Sequence, residues 1–97
     1  MITSKQRAFL RALAHPLDHS MQIGKDGINE NSVIQVEQML FAKELIKIKV
    51  LNNQDEDVRN LANQLAEKTQ SEIVQVIGRT IVLYRRSKRE GINHIEF

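Results

Sequence analysis

Apolar residues recur along this chain in two periods, helical and alternating, and their succession predicts the order of its elements. Thr3-Ser4-Lys5-Gln6 has capping-box spacing, and Phe9, Leu10, Ala12, Leu13 and Ala14 follow as the apolar side of a first helix. Pro16 stops that helix near His15. A short strand over residues 20–23 runs into a glycine loop. A second helix then starts at the good caps Asn29 to Asn31 and reaches about Ala42, with Val33, Val36 and Leu40 on one side and Ile34 and Phe41 beside them.

Residues 45–50, Leu-Ile-Lys-Ile-Lys-Val, alternate as a strand does. Ile46, Ile48 and Val50 face one way, Lys47 and Lys49 the other. Asn53 with Glu56 predicts the cap of a third helix, whose stripe Val58, Leu61, Ala62, Leu65, Ala66 sits at i, i+3, i+4, i+7, i+8 and marks core. Two β-branched runs, residues 73–77 and 80–85, are joined by Gly78-Arg79 and predict a β-hairpin. Beyond Arg86 the segment 87–97 is polar and charged, which predicts a loose tail after a single domain over residues 1–86.

The order is therefore one helix followed by βαβαββ. Strand-helix-strand crossovers make the first three strands parallel, and the hairpin turns the fourth antiparallel. Right-handed crossovers advancing in one direction put the second and third helices on one face. The fold class predicted is an α/β two-layer sandwich with a four-stranded mixed sheet.

Composition narrows the class further. Ninety-seven residues with 41% hydrophobic and 27% charged positions make one globular domain. No apolar run approaches the ~20 residues of a membrane span, and the N-terminus lacks the apolar stretch of a secretory signal. The chain has no Cys, so disulfides, thiolate metal sites and a Cys nucleophile are excluded, and a cytoplasmic location is expected. Net charge is only +2, but it is uneven. Residues 79–89 carry Arg79, Arg85, Arg86, Lys88 and Arg89 without an acid, and residues 1–25 carry Lys5, Arg7, Arg11 and Lys25 against Asp18. Residues 53–72 are acidic: Asp55, Glu56, Asp57, Glu67 and Glu72 against Arg59 and Lys68. A small domain with a basic and an acidic side offers the basic side to a polyanion, although mixed surface charge is also what ordinary solubility requires.

Candidate chemistry centres on Gly24-Lys25-Asp26-Gly27. A G-x-x-G turn between a strand and a helix brings backbone N–H groups near a positive helix N-terminus, which suits a phosphate, and Lys25 adds a cation. Alone the motif is weak: at ordinary glycine usage roughly one chain in three of this length has it by chance. The three histidines form no ligand cluster, because Pro16 lies between His15 and His19, and neither a nucleophile motif nor a phosphate-binding P-loop is present. An RRM stacks bases on strand aromatics, and here only Tyr84 of four aromatics lies on a strand. A KH domain places its G-x-x-G between two helices, for which residues 17–23 leave no room.

Four segments together resemble the CRM domain (chloroplast RNA splicing and ribosome maturation) family in its stand-alone bacterial, YhbY-type form. They are Leu13-Ala14-His15-Pro16-Leu17, Gly24-Lys25-Asp26-Gly27-Ile28, Glu44-Leu45-Ile46-Lys47, and residues 76–85, Val-Ile-Gly-Arg-Thr-Ile-Val-Leu-Tyr-Arg. The resemblance covers roughly residues 4–86. It implies a fold like the C-terminal domain of translation initiation factor three, and non-catalytic RNA binding through the glycine loop and a basic surface beside it. For the bacterial form it implies precursors of the large ribosomal subunit as the RNA. Asp26 departs from a phosphate-friendly loop, and its carboxylate is expected to fold back onto loop N–H groups.

The function expected is a non-catalytic RNA-binding protein acting on ribosomal RNA during large-subunit assembly, without cofactor, metal, membrane or small-molecule substrate. Gly24, Lys25, Asp26 and Gly27 form the loop. Arg79, Arg85 and Arg86, with Lys47 and Lys49 as weaker candidates, supply phosphate contacts. Strand directions place Arg79, rather than Arg85 and Arg86, beside Lys25. The alternative is a protein-interaction module that docks on ribosomal or translation factors.

Overall fold

The computed structural model describes residues 2–97. Its elements run α1 (Ser4–Ala14), β1 (Met21–Ile23), α2 (Glu30–Lys43), β2 (Leu45–Val50), α3 (Val58–Thr69), β3 (Glu72–Ile77) and β4 (Thr80–Tyr84). The sheet order is β1-β2-β4-β3. β1 pairs parallel with β2, and β4 lies between β2 and β3, antiparallel to both. The first three strands thus share one direction, as their crossovers require.

Local signals set the helix ends. Thr3 and Gln6 form the capping box of α1, and Asn29 forms one with Ser32 at the start of α2. At α3 the cap is Asp57, which accepts from the Asn60 N–H, and not the expected Asn53. Glu56 instead accepts from the side chains of Asn60 and Gln64 on the helix surface. The physical reason is distance along the chain: Asn53 lies in a separate turn, four residues before the Asp57 cap.

The main core lies between the sheet and the α2/α3 layer. Val36 and Leu40 of α2 and Leu61, Ala62 and Leu65 of α3 bury against Ile46, Ile48, Val50, Ile81 and Leu83. The helix α1, which the sequence pattern did not assign to a face, covers the opposite side. Leu10 and Ala14 pack there on Leu45, Val74, Val82 and Tyr84. β2 is therefore apolar on both faces at its start, which is why Leu45 precedes the alternating run. Phe9 and Leu13, expected in the α1 core face, remain 44% and 39% exposed, and Ile34 and Phe41 of α2 are also exposed. A stripe of two residues per two turns is enough where the helix touches the sheet on one narrow line.

The segment after Arg86 is docked, contrary to the expected loose tail. Glu44, at the C-cap of α2 with φ 64°, is 1% exposed. Its carboxylate accepts from Ser87 N at 2.7 Å and Ile95 N at 2.9 Å, and lies 2.5 Å from His94 Nδ1. Burial works to raise the Glu44 pKa, and those three hydrogen bonds outweigh it, so the carboxyl sits below its ordinary value. A buried carboxylate needs donors, and the C-terminal segment supplies them. Phe97 then closes over α1, edge-on to Phe9 and Tyr84 with ring centres 6.0 and 5.7 Å away. Among the described residues no helix is long and apolar enough to cross a membrane.

Candidate nucleic-acid interface

Three connections meet at one end of the sheet: the glycine loop after β1, the loop from Leu51 to Asp57 between β2 and α3, and the Gly78-Arg79 turn of the hairpin. Parallel β1 and β2 both end there, and antiparallel β4 begins there. Two side chains tie the three together. Gln54, 9% exposed, donates from Nε2 to Gly24 O at 2.8 Å and more weakly to Lys25 O at 3.4 Å. Its Oε1 accepts from Glu56 N at 2.9 Å. Arg79 donates from Nε to Val50 O at 3.0 Å and from Nη2 to Leu51 O and Gln54 O at 2.6 and 3.1 Å. The glycine loop therefore leans on Gln54, and the Gln54 loop leans on Arg79.

Within the loop, Gly27 N donates to Gly24 O at 3.0 Å and closes a tight turn. Gly27 has φ +69°, and a Cβ there would meet Gln54 Nε2 at 3.1 Å, so both conformation and space call for glycine. At Gly24 an added Cβ would make only an ordinary 3.5 Å contact with Leu51. Asp26 is exposed, and among the described residues its carboxylate accepts no hydrogen bond from the loop. The expected fold-back onto loop N–H groups does not occur, and one of those donors, the Gly27 N–H, is already engaged by Gly24 O. The N-terminus of α2 is also closed: Asn29 and Ser32 cap each other, and Glu30 puts an acid in the first turn. An anion at this end would meet side-chain cations rather than an open helix N-terminus.

The candidate cations separate by what they touch. Lys25 and Lys49 are exposed, and Lys49 lies in register with Gln22 of β1 and Thr80 of β4, near the same end. Arg79 keeps its Nη1 edge without a protein partner among the described residues. Lys47 is otherwise engaged. Its Nζ donates to the carbonyls of Ala14, His15 and Leu17 at 3.1–3.2 Å, at and just beyond the C-terminus of α1. Arg85 is likewise a staple. Its Nη1 donates to Glu37 Oε2 at 2.8 Å and to Thr69 O, the last carbonyl of α3, at 2.7 Å. Arg86 is exposed but sits with Arg85 at the far end of β4. Gln54 was missed by the sequence reading, since a lone glutamine in a polar loop carries no signal until the glycine loop is seen above it.

The CRS1/YhbY (CRM) domain model matches residues 2–85. The chain belongs to this family. The Bacillus subtilis protein named "Probable RNA-binding protein YqeI" is 48% identical, over 91% of this chain and 92% of its own length. A Haemophilus influenzae protein named "RNA-binding protein" is 35% identical, over 94% of this chain and 92% of its own. A hypothetical protein of Staphylococcus aureus, solved in solution, superposes with a TM-score of 0.79 at 52% identity, over 93% of this chain and 94% of that one. The CRM fold is thus present from α1 through β4, and the docked segment after Arg86 follows the matched region.

Proposed function

We propose that this protein is a non-catalytic, cytoplasmic RNA-binding protein that takes structured ribosomal RNA, during large-subunit assembly, on the sheet end formed by the three joined loops. The observation that carries the reading is the latch of Gln54 and Arg79. It ties the glycine loop to the loop after β2 and to the hairpin turn, at the sheet end that also carries Lys25, the unpartnered edge of Arg79 and Lys49. Relatives across the family carry RNA-binding names, which supports RNA over another polyanion. Cations carried on a preformed loop position phosphates without reading bases, so recognition is of RNA shape.

The alternative, a module that docks on ribosomal or translation factors, draws on the exposed apolar residues Phe9 and Leu13 of α1 and Leu17 just after it. Binding to protein-free large-subunit ribosomal RNA separates the two. The RNA reading requires measurable, salt-sensitive binding, and the docking reading requires none.

A further inference from the structure

A shallow groove of about 460 Å³ runs along the outer edge of β3, on the side of the sheet away from the glycine loop. Arg7 and Arg11, one helical turn apart on α1, reach it from one face of the sheet, and Arg59, from the first turn of α3, reaches it from the other. Arg7 is half-buried, with Nε donating to Ile73 O at 3.1 Å. Arg11 and Arg59 are exposed, and among the described residues none of the three pairs with a carboxylate.

The floor of the groove is shaped by an irregularity in β3. Ile73 pairs with Leu83 but Gln75 pairs with Val82, so Val74 is one residue in excess. Such a bulge lets two successive residues keep to the same face. Val74 turns into the core under α1, and Gln75 stays on that face with its carboxamide at the groove.

An exposed edge strand also invites a protein strand to add to it, but two features oppose that here. Arg7 already occupies the Ile73 carbonyl, and the bulge breaks the even ladder that an added strand needs. What remains is a channel, open along its length, lined by three guanidinium groups that pair with no carboxylate among the described residues. Their planar forks match phosphate oxygens in pairs. We propose that this groove is a second RNA-backbone site, in which Arg7, Arg11 and Arg59 hold phosphates of the same RNA that lies on the sheet end. The inference rests on the RNA-binding reading above. The glycine loop follows β1 and the groove follows β3, at opposite edges of the sheet, three strand spacings or about 14 Å apart, so one phosphate cannot serve both.

The test measures affinity for protein-free large-subunit ribosomal RNA against salt, for four proteins: wild type, R11Q/R59Q, the sheet-end variant K25A/K49A, and K5Q/K43Q as a control of equal charge change outside both sites. Arg7 is left intact because its bond to Ile73 supports the fold, and melting curves verify that every variant is folded. Losing two phosphate contacts lowers the magnitude of the log K against log salt slope by about 1.5, and weakens binding about 25- to 60-fold at 0.1 M salt. The proposal expects that change in R11Q/R59Q and much less in K5Q/K43Q. A wild-type slope and affinity in R11Q/R59Q, with K25A/K49A weakened, overturns the groove and leaves the sheet-end reading standing; an acidic protein partner then becomes its occupant. Equal losses in R11Q/R59Q and the control also overturn it. Absence of binding by the wild type overturns both readings.

Discussion

Replacing Gln54 tests whether the glycine loop acts as a preformed surface. Gln54→Ala removes the 2.8 Å bond to Gly24 O and the 2.9 Å bond from Glu56 N, together with the marginal 3.4 Å contact to Lys25 O. At about 0.5–1.5 kcal/mol net for each good bond, the loss is about 1–3 kcal/mol. For a domain of this size each kcal/mol lowers Tm by about 4–8 °C. Gln54→Glu keeps the acceptor for Glu56 but turns the donor into a carboxylate facing two carbonyl oxygens, so it isolates the loop side of the latch. Both variants leave every candidate cation in place. If RNA must then re-order even one loop residue, at about 1–2 kcal/mol, affinity falls about 5- to 30-fold. The salt slope stays at its wild-type value in Gln54→Ala, since no charge has been removed. Melting and RNA titration at several salt concentrations give all three quantities. A lowered Tm with unchanged affinity in both variants would refute the reasoning, because the loop would then be ordered for the fold and not for the ligand.

In a double-mutant cycle on RNA affinity, Lys25→Ala and Arg79→Ala should be coupled, since Arg79 holds the Gln54 loop under Lys25, whereas Lys25→Ala and Arg85→Ala should be additive within about 0.5 kcal/mol; the reverse pattern contradicts the strand directions. Glu44 has a folded-state pKa below its ordinary value, so the unfolded chain binds more protons in the acid range. Its stabilisation is complete above that ordinary value and drains away as pH falls through the lower folded value. Protection of the Ser87 and Ile95 amides from hydrogen exchange, taken against the intrinsic rate at each pH, should fall over that range in wild type, and Glu44→Gln should lack this dependence. Leu10→Ala should cost about 2–5 kcal/mol in urea unfolding, because Leu10 is fully buried in the α1 layer; a loss below 1 kcal/mol would mean α1 contributes little to the fold.

Much of the fold was legible because its signals are local. The Thr3 and Asn29 caps, the alternation of β2, the α3 stripe and the Gly78 turn each lie within a few residues of the element they define. What was not legible depends on partners far apart in sequence. Glu44 meets Ser87, His94 and Ile95 across 43 to 51 residues, and without that meeting the segment 87–97 looks like a solvated tail. Lys47 and Lys49 are equivalent in an alternating strand. Only the position of the α1 C-terminus decides that Lys47 caps carbonyls while Lys49 stays free. Charge counted along the chain put Arg59 in an acidic stretch, yet folding sets it opposite Arg7 and Arg11 across an edge strand. The placement of Arg79 at the glycine-loop end followed from strand direction alone. Its engagement with three carbonyls did not.

Amide shift mapping during titration with protein-free large-subunit ribosomal RNA tests the central claim most directly. The largest perturbations are expected at residues 24–27, at Gln54 and at Gly78 and Arg79, and they should fade as salt is raised. Perturbations confined to Phe9 and Leu13 of α1 and Leu17 after it, with the glycine loop silent, would contradict the account.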